Sequence, residues 1–453
     1  TGAESNENAT AAGKLFYPLH FQQTIMNNYL KQIWYELRHQ PMVTITSVMG
    51  TAFAIFLMMA VFMTSSLDTV PVAPETNRPR LMFGQNIHIK YEKGESSGGM
   101  SYNTARRLYG NLDGIEKISF ANSWAVNLDV SVKDGDCVSL FEKKVDDAFW
   151  EIFDFTFVSG KPFDKASVDA RLKKAIITES AAVRMFGNAD VAGKEIKINH
   201  VPHIVQGVVK DTSPLLVQSF ANIYTVYAPE EQDNLWIDGY GGDTQVILLK
   251  APGVSDEHIR NQVKSRYATF ASVLKKEGKQ VDYHQAPYTA ETVNLEFGSN
   301  TDPDPDTPRK LRYAVYLILL ILPAINLSSM TRSRLRRRVS EIGVRRAFGA
   351  TKAGIMSRFL GENLILTLAG GIIGLVLCLI FVVFFSNLFI SYGGKFGNND
   401  IAASTPTINM LLNFKTFGIA LLFCLLLNVI STGMPAWRAS KINPAEAISG
   451  KND

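Results

Sequence analysis

The sequence predicts an α+β membrane protein: four transmembrane helices, with a large mixed α/β domain inserted between the first and the second. Three observations predict it. The apolar residues of the 453-residue chain gather into four separated segments, 42–64, 313–330, 363–390 and 411–433. Each is near the roughly 20 residues that a helix needs to cross a hydrocarbon core. The stretch between the first two segments instead alternates apolar and polar residues, the period of strands. The loop between the second and third segments carries Arg332, Arg334, Arg336, Arg337, Arg338, Arg345, Arg346, Lys352 and Arg358. Short loops of that composition stay on the cytoplasmic side.

Residues 1–20 are polar and rich in small side chains, and read as a disordered or vector-derived N-terminus. Thr1 is not a natural translation start. Residues 21–40 read as an amphipathic helix at the cytoplasmic interface, because Ile25, Tyr29, Ile33 and Leu37 recur every fourth position with Leu30 and Trp34 alongside. A helix packed on a partner protein would carry the same pattern. The first transmembrane helix, 41–65, is free of charge and opens at Pro41. The outer domain spans 66–310. The second helix, 311–331, contains Pro323, which should kink it. The cytoplasmic loop covers 332–358, the third helix 359–390, a short outer loop 391–410, the fourth helix 411–434 and a cytoplasmic tail 435–453. Lys31 and Arg38 before the first helix, and Arg438, Lys441 and Lys451 after the fourth, agree with both termini inside.

Within the outer domain, runs at 86–91, 125–132, 138–145, 175–178, 196–198, 203–209, 223–227 and 245–249 read as strands. Residues 102–112, 179–186 and 256–276 read as helices, and 94–99 and 300–308 as loops. The second loop holds Pro303, Pro305 and Pro308 among acidic residues and reads as a stiff linker.

Little in this chain is suited to chemistry. The net charge of +4 is accounted for by the inner loops and gives no basis for nucleic-acid binding. Cys378 and Cys424 fall in membrane segments and Cys137 stands alone, so no intrachain disulfide framework is expected. A phosphate-binding loop needs Gly-x-x-x-x-Gly-Lys-Ser/Thr. The nearest stretch, from Gly187 to Gly193, Lys194 and Glu195, has one residue too many and Glu where the metal-binding hydroxyl belongs. It reads as a helix-to-strand turn. His200 and His203 bracket Pro202 in a hairpin-like turn without a further ligand set nearby. Asp302, Asp304 and Asp306 lack the Gly and Glu of a calcium loop. No nucleophile elbow is present. The chain is therefore expected to be non-catalytic, with no cofactor and no metal. Asn326 and Asn428 read as interhelical hydrogen-bonding groups.

With a membrane anchor, an outer domain and no engine, energy or signal must come from a partner. The candidate contact is Glu341, Ile342, Gly343, Val344, Arg345, Arg346, Ala347, Phe348, Gly349 and Ala350. This stretch can form a short helix that offers Ile342, Val344 and Phe348 to a groove and ends at Gly349.

That segment resembles the cytoplasmic coupling loop of the MacB/LolC/FtsX class of ABC transporter permeases, with Phe348 in place of the usual aliphatic residue. Other stretches resemble the same family. They are 147–163 (Asp-Ala-Phe-Trp-Glu-Ile-Phe-Asp-Phe and Ser-Gly-Lys-Pro-Phe), 184–211, 359–374, and the tail from Pro435 through Pro444 to Ile448. The resemblance implies a MacB-type periplasmic core domain between helices 1 and 2. It further implies a permease subunit of the bacterial inner membrane without a fused ATPase. Such a subunit pairs with a second copy or a paralogue, and its partner is a separate cytoplasmic ABC ATPase dimer. Motion driven by ATP would pass to the outer domain by mechanotransmission, for export or efflux of peptide, antibiotic or lipid-linked substrates. A periplasmic adaptor, an outer-membrane channel and membrane lipid are further partners that the family implies. Two alternatives stand beside this: an FtsX-like regulator of cell-wall hydrolases and a non-transporting membrane sensor.

Overall fold

The computed structural model describes residues 41–66, 71–293 apart from 133–136, 215 and 230–236, and 351–393, with scattered positions over 306–350 and 417–437. The expected interfacial helix at 21–40, most of the proline linker and residues 394–410 of the expected outer loop lie outside the described residues, while 391–393 are helical. The chain divides into two compact units: 60–316 with 378–416, and 1–59 with 317–377 and 417–453.

Helix α1 (Pro41–Ser66) carries no charge, and Pro41 is tolerated in a first turn because its missing N–H has no intrahelical partner there. The β-rich unit follows with β1 (Leu81–Gly84), β2 (Asn86–Tyr91), β3 (Gly94–Gly99), α2 (Tyr102–Tyr109), β4 (Ile115–Asn122), β5 (Val126–Ser131) and β6 (Cys137–Val145). Next come α3 (Phe149–Ile152), β7 (Phe157–Gly160), α4 (Lys165–Asp169), β8 (Lys174–Thr178), α5 (Glu179–Phe186), β9 (Glu195–Ile198) and β10 (Val201–Val209). The unit closes with β11 (Ile223–Val226), β12 (Thr244–Lys250), α6 (Asp256–Lys276), β13 (Gln280–Asp282) and β14 (Tyr288–Thr289). The long helix α7 (Lys352–Gly393) belongs to the membrane region.

The large sheet has a closed part and an open part. Strands β11, β8, β10, β9, β5 and β6 pair in that order, and β6 pairs back to β11 in parallel, so the hydrogen bonds run round a ring. From β6 the sheet continues open through β4, β12, β1 and β14. Strand β8 shows why its sequence is apolar without alternation. Ala175 and Ile177 are buried in one hydrophobic cluster and Ile176 in the other, so both faces of the strand are covered. On the open part, α6 buries Ile259, Val263, Tyr267, Phe270 and Leu274, a spacing of three and four residues along one helix face. Ser255 accepts from the His258 N–H and Asp256 and Glu257 lie in the first turn, the polarity a helix N-terminus favours.

The 147–163 stretch proves to be a packing motif. Trp150 lies 5.1 Å from Phe155, 5.3 Å from Tyr224 and 5.8 Å from Phe163, ring to ring, and Phe149 lies 4.7 Å from Phe153. The stretch from Gly187 to Lys194 joins the end of α5 to β9, with Gly187 at φ +76 closing the helix. A phosphate loop would lead from a strand into a helix. Asn199 and His200 both have positive φ and form the tight turn of the β9–β10 hairpin, where a primed turn requires that conformation.

Some expectations need correction. Residues 94–99 are strand β3 rather than a loop, held by pairing with β2 from Asn86↔Gly99 to Tyr91↔Gly94. The strands β1, β4, β7, β13 and β14 and the short helices α3 and α4 were not expected from the sequence pattern. Helix α2 stops at Tyr109 rather than 112 because Gly110 and Asn111 turn the chain, Asn111 at φ 54.

In the membrane region, one helix among the described residues is long and apolar enough to cross a membrane, over Lys352–Phe381, with a shorter apolar stretch at Thr44–Leu57 within α1. Four complete spans are therefore not seen among the described residues. Described positions of the expected second and fourth spans, such as Tyr313, Leu317, Ile419 and Leu422, are helical. Leu364, Leu368, Ile372, Val376 and Ile380 form an exposed apolar stripe on α7, while Leu366 and Thr367 are buried. A helix apolar on its exposed side as well as its buried side fits lipid rather than water.

Candidate functional site

The sequence places a helix terminator, Gly349, three residues before α7. Ile342, Val344 and Ala347 are helical. The Phe348 N–H donates to the Val344 carbonyl at 3.0 Å and closes the last turn. Gly349 then takes φ +94, the left-handed conformation that lets a helix end without a Cβ clash. Two residues on, Thr351 starts α7: its Oγ1 accepts from the Gly354 N–H at 3.1 Å, and its carbonyl accepts from Ile355 at 3.1 Å. The connection is a single tight corner, so a displacement of the short helix has little slack before it reaches α7.

The apolar residues of this short helix do not share one face. Ile342 is 4% exposed, whereas Val344 is 44% and Phe348 88% exposed. Ile342 is therefore buried, while Val344 and Phe348 are the apolar side chains left open. Val344 and Phe348, four residues apart, lie on one side of the turn. An exposed aromatic beside an exposed β-branched residue costs hydration unless something covers it. Ala347 and Gly349 are exposed and Ala350 is half-buried. Glu341, Gly343, Arg345 and Arg346 lie outside the described residues.

Helix α7 carries the site into the membrane region. Glu362 and Asn363 are both buried on it. Glu362 was not singled out in the sequence, although an ionisable residue at the edge of an apolar helix is itself a signal. Further along, Gly370, Gly371 and Gly374 lie at helix contacts. A Cβ at Gly370 would come within 2.9 Å of the Thr51 Cβ, and one at Gly371 within 2.7 Å of Leu421 Cδ1. Small residues four apart let two helix backbones approach closely where lipid supplies no hydrophobic drive for association.

The β-rich unit contains a separate cleft of about 210 Å³, lined among others by Glu142, Lys144, Arg171, Lys173, Lys174 and His203. His203 has its Nδ1 3.0 Å from the Val201 carbonyl, and burial lowers its pKa, with that hydrogen bond opposing. These cations and one carboxylate make no nucleophile–base pair, and among the described residues His200 and His203 are not gathered with further metal ligands.

The two halves match two family models. Residues 42–266 match the MacB-like periplasmic core domain, and residues 313–444 match the FtsX-like permease C-terminal family. The chain belongs to the MacB/FtsX-like family of ABC transporter permeases. It is a membrane protein on that ground. The chain is 24% identical over 306 residues to the uncharacterized ABC transporter permease YknZ of Bacillus subtilis, covering 67% of this chain and 68% of that one. It is 21% identical over 431 residues to the macrolide export ATP-binding/permease protein MacB of Salmonella typhi, covering 93% of this chain and 60% of that one. With MacB of Mannheimia succiniciproducens it shares 24% over 311 residues, 43% of that protein's length. Among solved structures, the periplasmic region of MacB from Actinobacillus actinomycetemcomitans is similar at 17% identity and TM-score 0.32, covering 46% of this chain and 90% of that one. A domain of a putative permease from Porphyromonas gingivalis is similar at 18% identity and TM-score 0.35, covering 52% of this chain and 97% of that one.

Proposed function

We propose that this permease relays ATP-driven motion of a separate cytoplasmic ATPase to its β-rich domain by mechanotransmission, for export of peptide, antibiotic or lipid-linked substrates. The observation that carries the reading is the exposed pair Val344 and Phe348 on a helix joined to α7 by the Gly349–Thr351 corner. A partner groove that covers this pair gains roughly 1.5–3 kcal/mol for each side chain it fully buries. Residues 341–350 are the ATPase contact in this reading, and the arginine cluster Arg332–Arg338 would meet acidic protein surface or lipid phosphate. The loop lies in the cytoplasm and 66–310 outside the inner membrane. Two permease copies, or one with a paralogue, stand side by side.

The test uses Val344→Asp and Phe348→Asp in cells of the native host, where any partner ATPase is present. Both variants should insert in the membrane at wild-type level and lose ATPase co-purification, because an unpaired charge in an apolar contact costs several kcal/mol. Stoichiometric co-purification with both variants would place the contact elsewhere.

A further inference from the structure

The three-stranded sheet β13-β2-β3 brings together residues far apart in sequence. His88 in the middle of β2 pairs directly across from Asp282 on β13 and from Ser97 on β3. His284 follows Asp282 by two residues, and its ring centroid lies 5.4 Å from that of His88. Ligand atoms of His88, Asp282 and His284 all lie within 4.8 Å of one another. The Glu95 carboxylate reaches in from β3, its Oε2 3.3 Å from His88 Nε2.

His88 is the informative member. It is 3% exposed, and neither ring nitrogen makes a hydrogen bond. A buried imidazole without hydrogen bonds is costly, and native structures rarely leave one so. Its ring nitrogens sit in the middle of two carboxylates and a second imidazole, the donor set of a borderline transition metal. Lys90 Nζ lies 2.6 Å from Asp282 Oδ2, and a carboxylate has a second oxygen for a metal.

We propose that His88, Asp282 and His284, with Glu95 as fourth ligand, form a binding site for a divalent transition-metal ion of the zinc class. Tetrahedral zinc with bonds of about 2.0–2.1 Å holds its donors about 3.4 Å apart. The donors therefore have to close by roughly an ångström, which side-chain rotation of the half-buried Asp282 and His284 can supply. Two imidazoles with carboxylates favour zinc or its neighbours over calcium or magnesium, which take all-oxygen sets. The ion would clip the segment that leaves α6 onto β2 and β3, fixing the end of the domain's longest helix to its small sheet. This inference does not rest on the ATPase contact, and neither result decides the other.

The experiment uses the full chain in detergent with a histidine-free affinity tag, stripped by chelator and then titrated with Zn²⁺ alone. One zinc per chain should remain after gel filtration, measured by mass spectrometry, and the melting midpoint should rise. His284→Ala, at a half-buried position, and Asp282→Asn should each weaken binding by at least about 100-fold, since losing even an outer partner of a ligand costs about 10–100-fold. His200→Ala with His203→Ala should bind as the wild type does. Absence of stoichiometric zinc, wild-type affinity in His284→Ala and Asp282→Asn, or loss only in the His200/His203 variant would each overturn the proposal.

Discussion

Gly374 of α7 lies against Ala52 of α1: a Cβ at Gly374 would fall 2.8 Å from the Ala52 carbonyl oxygen and 3.2 Å from Ile55. The obstacle is backbone, so it cannot swing aside. Gly374→Ala should therefore force the helices apart and cost about 1–3 kcal/mol, the usual range for overpacking. Gly371→Ala meets the end of the flexible Leu421 side chain and, at an ordinary 3.7 Å, Ile55 Cδ1, and should be nearly neutral. Melting midpoints of the two variants in detergent decide the matter. Equal midpoints would mean that the close α1–α7 approach does not hold the membrane region together.

A second prediction concerns Glu75 and Arg78, an ion pair at 3.2 Å with side chains 0% and 2% exposed. Ser219 Oγ donates to the other Glu75 oxygen at 2.8 Å. Glu75→Ala strands a buried guanidinium, and loss of one partner of such a pair costs about 3–5 kcal/mol. Replacing both, as Glu75→Leu with Arg78→Met, should cost less than Glu75→Ala alone. Urea midpoints followed by tryptophan fluorescence measure this. A double variant weaker than the single one would show that the pair is net stabilising.

Lys143 gives a pH prediction. It is fully buried, its Nζ donates to the Asn122 carbonyl at 3.0 Å, and burial lowers its pKa from 10.5 to about 8, against the charges of Asp243 and Glu75. The folded chain thus releases a proton that the unfolded chain keeps up to the ordinary lysine range. The stability this group withholds is absent below pH 8 and returns as pH rises from 8 towards 10.5. Lys143→Met should therefore melt higher than the wild type at pH 7, with the gap shrinking above pH 8. A gap that does not change between pH 7 and 10 contradicts the reading.

These groups also mark how far the sequence could be read. Asn86–Tyr91, Glu179–Phe186 and Asp256–Lys276 lie where the sequence pattern places them, and the structure shows Gly187 and Ser255 capping the two helices. Gly94–Gly99 has no side-chain pattern to read, because a strand of glycine and serine exists only through its pairing with β2. Strand β4, Ile115–Asn122, mixes charged and apolar residues, since its exposed end carries Glu116 and Lys117. At the candidate contact, the helix stop at Gly349 was legible from its residue type, and the structure has it at φ +94. The burial of Ile342 was not, since it depends on which way a single turn faces. The His88 cluster was not legible at all. Asp282 and His284 stand two residues apart, but His88 and Glu95 join them only through strand register.

The last prediction tests the orientation of the chain, using the exposed thiol of Cys137. The arginines between 332 and 338 argue that this loop stays inside, which puts the β-rich unit outside. Cys137 begins β6 in that unit, whereas Cys378 is buried on α7. A membrane-impermeant maleimide applied to whole cells, with the outer envelope permeabilised where there is one, should label the wild-type chain and not Cys137→Ser. In the Cys137→Ser background, Ser255→Cys at the N-cap of α6 should restore labelling. Ser333→Cys should be labelled only after the cells are broken. Labelling of Ser333→Cys in intact cells, or failure of both Cys137 and Ser255→Cys to react from outside, would reverse the topology. The exposed pair Val344 and Phe348 would then face away from any ATPase, so this experiment bears on the coupling reading as directly as co-purification does.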